Sequence, residues 1–366
     1  MIFKKNKYTL NFVMLIILAS CTTTSKDLWN NSASSGIHED ERTLLQISSY
    51  KNFFIEDINL IQDFLYSAEN QEEIKAIKLL KNNYKKILSH DEYTITLDIN
   101  NKHSDKLIEL IYEINLPTKI FWTDESKSDL PRNILSNKVN GFCESLYDDA
   151  IKSIMRNVNA DLGSPIVIFS PKYEDILQNL RSYDANIETF KFSTSGFQEF
   201  VSKILEINLS KERFKKISNL NPNQKLNFSP RPRRDFKEII LLLEPSDYKA
   251  MIPALRYHAG RNFKYYNFIS ALEEINTPVQ LLDYEDSYIP LSIYSSMNIG
   301  SGHVNSLEGF LEEGMLKDWL LIQVLMQSGA KSTSISGITG EIYFRPNVCS
   351  KREIPLQIIT SELFAG

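Results

Sequence analysis

The sequence predicts an α/β fold in which mostly parallel sheets are flanked by helices. Short apolar segments alternate with longer amphipathic segments along most of the chain, which is the pattern of successive strand–helix–strand units. Two of these segments, Pro165–Phe169 and Glu238–Glu244, have fully apolar interiors, as expected for strands covered on both faces. The chain has 366 residues, 42% of them hydrophobic, which is enough for a sizeable core in one or two domains.

The elements follow one another without an internal repeat. Residues 42–90 are predicted to be largely helical. Beyond them the periodicity predicts strands at 93–99, 119–122, 165–169, 187–192, 238–244 and 264–268. Helices are predicted at 105–114, 148–158, 173–183, 197–207 and 245 to about 260. We expect the first two strands to form one sheet and the other four a second, with a closing hairpin of strands 337–344 and 353–360.

The helix that follows Glu244 carries three local signals. Ser246 is a candidate N-cap, because its hydroxyl can accept a hydrogen bond from the first turn. Pro253 lies inside the helix and predicts a kink, since proline removes a backbone donor and clashes with the preceding turn. Gly260 is expected to end the helix.

The N-terminus has the pattern of a secretory signal. Lys4, Lys5 and Lys7 form a basic segment, and the apolar run 12–18 that comes next is too short to span a bilayer. The next residues resemble the lipobox of bacterial lipoproteins, Leu18-Ala19-Ser20-Cys21. This pattern predicts a signal peptide over residues 1–20 and lipid on Cys21. The alternative is an ordinary signal peptide with a coincidental cysteine.

Lipid on Cys21 predicts that the protein works outside the cytoplasm. Several acyl chains on one cysteine would anchor it stably, since each buried methylene contributes about 0.8 kcal/mol. Thr22 is not acidic, and resemblance to sorted lipoproteins then favours the periplasmic side of the outer membrane. Residues 21–45 are polar, which predicts a flexible tether.

The charge argues against nucleic acid as a partner. The net charge is −5, and it becomes −8 without residues 1–20, which carry three lysines and no acidic residue. General nucleic-acid binding depends on a basic surface, so we expect no nucleic-acid partner.

Common catalytic and metal-binding motifs are absent from the sequence. The five histidines form no HExxH pair, and there is no GxSxG segment. Gly300-Ser301-Gly302 lacks the third glycine of a dinucleotide loop. SxxK occurs at 48–51 and 246–249, but the KTG of penicillin-binding enzymes is missing. The sequence therefore offers no candidate catalytic residue, and we predict no metal and no cofactor.

Cys143 and Cys349 are the cysteines that remain after Cys21. In an oxidising periplasm they could form a disulfide, but their distance in the sequence does not establish one. Two buried thiols are the equal alternative.

A short basic segment precedes the strand at 238–244, and it consists of Arg231, Pro232, Arg233, Arg234 and Asp235. Taken alone, this segment indicates a solvated loop in which Asp235 offsets part of the positive charge. Read together with the strand and the helix that follow it, the segment becomes part of a longer recognisable pattern.

With those flanking residues the segment resembles the LppC/LpoA family of penicillin-binding-protein activators. The likeness is carried by the arginine segment, the apolar strand, Pro245 and the helix end Pro253-Ala254-Leu255-Arg256-Tyr257-His258-Ala259-Gly260. Residues 337–344 resemble the Gly-x-x-Gly hairpin of that family, and 164–192 resembles its inter-lobe strand–helix–strand unit. The match is good from about 160 to 270 and over the last 30 residues.

The resemblance implies a two-lobed fold like that of type I periplasmic-binding proteins over residues 46–366. Lobe one would hold about 46–155 and 275–330. Lobe two would hold about 156–274 and 331–366, with strands crossing between the lobes. Members of the family usually carry a long helical repeat domain before this unit. Here fewer than 30 residues separate Cys21 from the first predicted helices, so we expect a shorter reach from the outer membrane.

The resemblance also implies a function. Family members are non-catalytic outer-membrane lipoproteins that dock on a class A penicillin-binding protein and stimulate peptidoglycan synthesis. Arg231, Arg233, Arg234 and Asp235 would be structural or interface residues. We expect an arginine to pair with an acid between the lobes, and Arg234→Ala then to destabilise the fold.

Two other functions fit the same fold. One is a lipid-anchored solute-binding protein that holds a small ligand in the cleft between the lobes. The other is a structural lipoprotein that has lost the activating function.

Overall fold

The structure is a computed structural model that describes residues 71–159, 163–193, 196–220, 227–259, 263–275, 278–292, 295 and 306–360. The expected signal peptide, Cys21, the tether and the helical part before residue 71 lie outside these ranges. None of the helices in the described ranges combines the length and the apolar character needed to cross a bilayer.

Helices and strands alternate through the described chain. The helices are α1 Gln71–Leu88, α2 Lys102–Glu113, α3 Leu146–Asn157, α4 Glu174–Tyr183, α5 Phe197–Ile204, α6 Ile207–Leu220, α7 Pro245–Ala259 and α8 Leu307–Gln327. The first strands are β1 Tyr93–Asp98, β2 Thr118–Thr123, β3 Ile166–Phe169, β4 Glu188–Lys191, β5 Glu238–Leu242 and β6 Lys264–Asn267. The later strands are β7 Tyr288–Pro290, β8 Thr333–Ser336, β9 Glu341–Phe344, β10 Lys351–Glu353 and β11 Leu356–Ile358.

The largest sheet of the described chain has six strands in the order β11-β7-β6-β5-β3-β4. The five strands from β3 to β7 are parallel, and β11 pairs antiparallel with β7 at one edge. Every residue of β3 and β5 is buried, because helices cover both faces of the sheet centre. The predicted α/β class, with a parallel sheet flanked by helices, is confirmed.

The crossover helices divide between the two faces of this sheet. The chain leaves β3 towards β4 through α4, and it leaves β5 in the opposite direction through α7. Right-handed crossovers therefore place α4 and α7 on opposite faces. The packing agrees, since α4 contacts α3 while α7 contacts α5. The direction of the connections reverses between β3 and β5, and this reversal defines the topological switch point of the sheet.

A second, two-stranded parallel sheet pairs β1 with β2, as the sequence predicts. Side chains satisfy the other edge of β1. Gln327, the last residue of α8, exchanges two hydrogen bonds with the Thr94 backbone, at 2.7 and 2.8 Å. Asp129 accepts a hydrogen bond from the Thr96 amide at 2.7 Å. Buried side chains of both parallel sheets belong to one hydrophobic cluster.

The chain closes differently from the predicted hairpin. The hairpin pairs β8 with β9, and its turn is the Gly337–Gly340 segment. The predicted second strand, 353–360, is split between two sheets: β10 pairs with β9, and β11 joins the six-stranded sheet beside β7. Pro355 separates the two strands and cannot donate to a ladder, which explains the break.

Helix boundaries also differ from the sequence prediction. Helix α2 starts at Lys102 rather than residue 105, because Asn101 accepts a hydrogen bond from the His103 amide as its N-cap. Helix α7 starts at Pro245, so Ser246 lies inside its first turn and the predicted cap is wrong. Proline suits that first position, since its missing N–H would have had no helical partner. The helix continues through Pro253.

Four elements, α6, α8, β7 and β8, are not predicted from the sequence. Helix α8 is buried on nearly all sides, so its sequence lacks the 3.6-residue alternation that reveals an amphipathic helix. Strand β7 has three residues, too few for a period to show. It lies in the range expected for lobe one, yet it pairs with β6 and belongs to the six-stranded sheet.

Candidate functional site

The switch point between β3 and β5 is the natural ligand position of this sheet. Open α/β sheets bind ligands at the carboxyl ends of their strands, where the connections diverge. Ser170 follows β3, and its hydroxyl accepts a hydrogen bond from the Glu244 amide after β5, at 3.3 Å. Lys172, Tyr173 and Pro245 lie beside them. Any solute cleft of the predicted kind should open here.

Side chains from α8 and from the segment before α3 fill this position. Leu135, Leu307 and Leu311 face Tyr173, and all four are at most 3% exposed. The rings of Tyr147 and Tyr173 both contact the Phe268 ring edge-on, at centroid distances of 4.9 and 5.5 Å. These contacts bury apolar and aromatic surface, which stabilises the packing of these elements against one another.

Polar contacts close the rim of the same position. Glu273 accepts a hydrogen bond from the Glu308 amide at the start of α8, at 2.5 Å. Burial raises the pKa of Glu273. On the side of α2, Lys102 donates to Glu312 at 2.5 Å. Helix α8 is therefore joined both to the segment that follows β6 and to α2.

The cavity left at the switch point has a volume of about 20 Å³. That is room for about one water molecule. Small-molecule sites usually enclose about 300 to 1,000 Å³. In this structure the position where a solute would bind is occupied by the protein's own side chains.

A buried polar network fixes the closing hairpin to α8. Asp318, fully buried in α8, accepts hydrogen bonds from the Ile338 amide, the Thr339 amide and the Thr339 hydroxyl at 2.6–2.9 Å. Gly337 approaches this carboxylate so closely that an added Cβ would lie 2.8 Å from Asp318 Oδ1. The Gly-x-x-Gly motif of the sequence is thus a turn that donates hydrogen bonds to a buried acid.

Arg352 extends the network to α3. Its Nη1 donates to the Thr339 hydroxyl at 3.1 Å, and its guanidinium stacks on Phe142 at 4.3 Å. Its Nε lies 3.5 Å from Asp149 Oδ2, which is long for a hydrogen bond. Burial raises the pKa of Asp149 to about 6, against the opposing charge of Arg352. Burial also lowers the pKa of Arg352.

The arginine segment lies away from the switch point. Arg233 pairs with both oxygens of Asp235, with Nε at 2.8 Å from Oδ1, and reaches Glu188 of β4 at 2.9 Å. Both acids lie in the range expected for lobe two, so Arg233 does not make the expected pairing between the lobes. Arg231 and Arg234 are exposed. They line a cavity of about 460 Å³ beside α6.

The two cysteines form a disulfide. Cys143 lies before α3 and Cys349 before β10, and their Cα atoms are 4.9 Å apart. Backbone hydrogen bonds support the link, since the Cys143 amide donates to the Ser350 carbonyl at 2.9 Å. Of the two alternatives that the sequence leaves open, the structure selects the disulfide.

Sequence reasoning does not reveal the cleft-filling side chains or the network of Asp149, Asp318 and Arg352. One signal is present in the sequence, because an acid inside the long apolar run 315–325 must find buried donors. Within the described ranges, histidine, cysteine and acidic side chains nowhere gather in threes as metal ligands.

No family model and no curated protein matches the sequence. Solved structures resemble it weakly. One is LpoA of Haemophilus influenzae in a monoclinic form with two molecules per asymmetric unit, with a TM-score of 0.41, 11% identity and coverage of 73% of this chain and 46% of that chain. Full-length LpoA of the same organism in another monoclinic form gives a TM-score of 0.43, 11% identity and coverage of 81% and 50%.

A third similar structure is an ABC transporter substrate-binding protein of Desulfitobacterium hafniense in complex with Leu. It gives a TM-score of 0.34, 8% identity and coverage of 74% of this chain and 98% of that chain. The chain spans about half the length of the two LpoA structures. The α/β fold class follows from the strand order and crossovers of the chain itself.

Proposed function

We propose that this protein is a non-catalytic lipoprotein that activates a class A penicillin-binding protein and so regulates peptidoglycan synthesis. The observation that carries the proposal is the filled switch point, with about 20 Å³ of free volume. A binding-protein-like fold whose described side chains fill the switch point is suited to act through its surface rather than through a solute bound there. The sequence resemblance to the LppC/LpoA activators supplies the class of partner.

The proposed location is the periplasmic side of the outer membrane, with lipid on Cys21 as the anchor. The disulfide between Cys143 and Cys349 supports an oxidising compartment, since such bonds are rare in the cytosol. Replacing Cys21 with Ala should release the protein from the membrane fraction. Membrane fractionation that is unchanged in C21A would reject the lipid anchor.

The proposal assigns no catalytic residue and no cofactor to the chain. Activation then depends on protein contact, and a tether raises the local concentration of the protein near a membrane-bound partner. Binding can be tested with detergent-solubilised class A synthases immobilised on beads. We expect full-length protein to be retained specifically, and a matched lipoprotein of unrelated fold to pass through.

Solute binding is the competing function, and it predicts a different result. A thermal-shift screen with leucine and other amino acids that have uncharged side chains measures whether any of them stabilises the folded protein. We expect no stabilisation at millimolar concentrations, because the switch point is occupied. A clear shift with one solute, together with no retention on the synthase, would favour the solute-binding protein. The absence of both retention and stabilisation would favour a structural lipoprotein.

A further inference from the structure

Three arginines that form no ion pair with a described residue share one concave site on the protein. Arg213 of α6 and the exposed Arg231 and Arg234 line the cavity of about 460 Å³ beside the arginine segment. Their guanidinium groups form no ion pair with any residue that the structure describes. Glu206 and Asp235 are the acids that line the same cavity.

Arg233 plays a different part in this site. It is bonded to Asp235 and Glu188, stacks 5.1 Å above the Phe236 ring, and its side chain is only 20% exposed. Asp235 and Glu188 hold the Arg233 guanidinium charged and raise its pKa. Arg233 lies between Asp235 and Glu188 and offsets one of these two negative charges, so the described cavity lining still carries more positive than negative charge.

The backbone around Arg233 holds the site in shape. The Arg233 amide donates to the Leu205 carbonyl at 3.0 Å, and the Arg231 amide donates to the Ser210 hydroxyl at 3.1 Å. On the opposite side Gly163 packs so tightly that an added Cβ would lie 2.3 Å from the Asp235 carbonyl oxygen. The two flanking arginines are therefore presented by an anchored segment rather than by a free loop.

The charge of this region opposes the charge of the whole molecule. The protein has a net charge of −5. Helix α6 carries four basic residues, Lys211, Arg213, Lys215 and Lys216, and one acid. Such a local field raises the concentration of anions near the site. Guanidinium groups bind carboxylate and phosphate oxygens through paired hydrogen bonds, which an ammonium group cannot do.

We propose that this cavity is a binding site for an anion that carries two or more carboxylate or phosphate groups. Arg213, Arg231 and Arg234 bind the oxygens, while Arg233 holds the segment in place. The volume exceeds what a single inorganic phosphate needs and lies in the range of sites for small organic ligands. The site is separate from the filled switch point, and the proposal does not depend on a synthase partner.

Calorimetric titration of the purified full-length protein tests the site, with citrate and pyrophosphate as probes. We expect at least one of them to bind with a submillimolar Kd that weakens as NaCl is added. Arg231→Ala with Arg234→Ala should weaken binding about tenfold or more. Arg231→Lys with Arg234→Lys keeps the positive charge but loses the paired hydrogen bonds of guanidinium. Its affinity should therefore lie between those of the wild type and the double alanine variant.

Arg132→Ala with Arg345→Ala removes two exposed arginines elsewhere and serves as the matched control, with unchanged affinity expected. Vesicles containing phosphatidylglycerol distinguish the sources of a phosphate group. Vesicle binding that pyrophosphate displaces assigns the ligand to a lipid headgroup, and binding of the soluble probes without vesicle binding assigns a free anion. The proposal is overturned if neither probe binds, or if the double alanine variant binds as tightly as the wild type.

Discussion

Asp149 and Asp318 both lie near the buried Arg352, but their environments differ. Asp318 accepts three hydrogen bonds from the hairpin turn. Asp149 lies 3.5 Å from Arg352 Nε, and burial raises its pKa to about 6. We therefore infer that Asp149 titrates in the weakly acidic range.

Asp318→Asn should strongly destabilise the protein. The substitution puts an amide nitrogen where the Ile338 and Thr339 amides require acceptors. Leaving a buried donor without its acceptor costs roughly 1 to 3 kcal/mol. Urea denaturation measures the loss, with Asp91→Asn at an exposed loop position as the control. A loss below about 1 kcal/mol would contradict the assigned role.

Asp149 should make stability depend on pH. Its pKa is raised from 3.8 to about 6 in the folded state, so the folded protein binds this proton more tightly than the unfolded chain. The resulting stabilisation is full below about pH 4 and is lost as the pH rises through 6, up to about 3 kcal/mol. Asp149→Asn should lack this loss. A constant difference in unfolding free energy between the two proteins from pH 4 to 7 would contradict it.

The arginine segment acts as one structural element because Arg233 anchors it. Arg233→Ala should lower stability by about 1 to 2 kcal/mol, since it breaks partly exposed charge-assisted hydrogen bonds. Arg234→Ala should leave the melting temperature unchanged, because its side chain is exposed and forms no ion pair with the described residues. This reverses the expectation from the sequence. Equal destabilisation by the two variants would contradict the distinction.

The disulfide joins two elements that are 206 residues apart, the segment before α3 and the segment before β10. Closing so long a loop restricts the unfolded chain, and its loss should cost roughly 2 to 5 kcal/mol. Denaturation of Cys143→Ser with Cys349→Ser, compared with the oxidised wild type, measures this cost. Two free thiols from these positions in the native protein, counted under denaturing conditions, would contradict the bond.

Local patterns in the sequence decide which elements can be predicted. Strands β3 and β5 have apolar interiors between turn residues, so the sequence predicts them. The predicted end of α7 at Gly260 lies outside the described residues. Helix α8 escapes prediction because burial on nearly all sides removes its periodicity. The contact of Asp318 with Thr339, and of Arg352 with Asp149, depends on tertiary packing that local patterns do not report.

At the scale of the whole molecule, the two parallel sheets meet around α8, and side chains already occupy the ligand position of the larger sheet. Leu307 and Leu311 of α8 close one side, and Tyr173 after β3 closes the other. Buried apolar contacts of this kind stabilise one arrangement of the two sheets. At this position the described side chains leave a cavity of only about 20 Å³.

The most direct test is the rate of peptidoglycan cross-linking by a purified class A synthase, measured with and without the full-length protein. We predict that the protein increases the rate, and that leucine or muropeptide added to the mixture leaves this increase unchanged. A synthase whose rate does not change at saturating protein would contradict the proposed function.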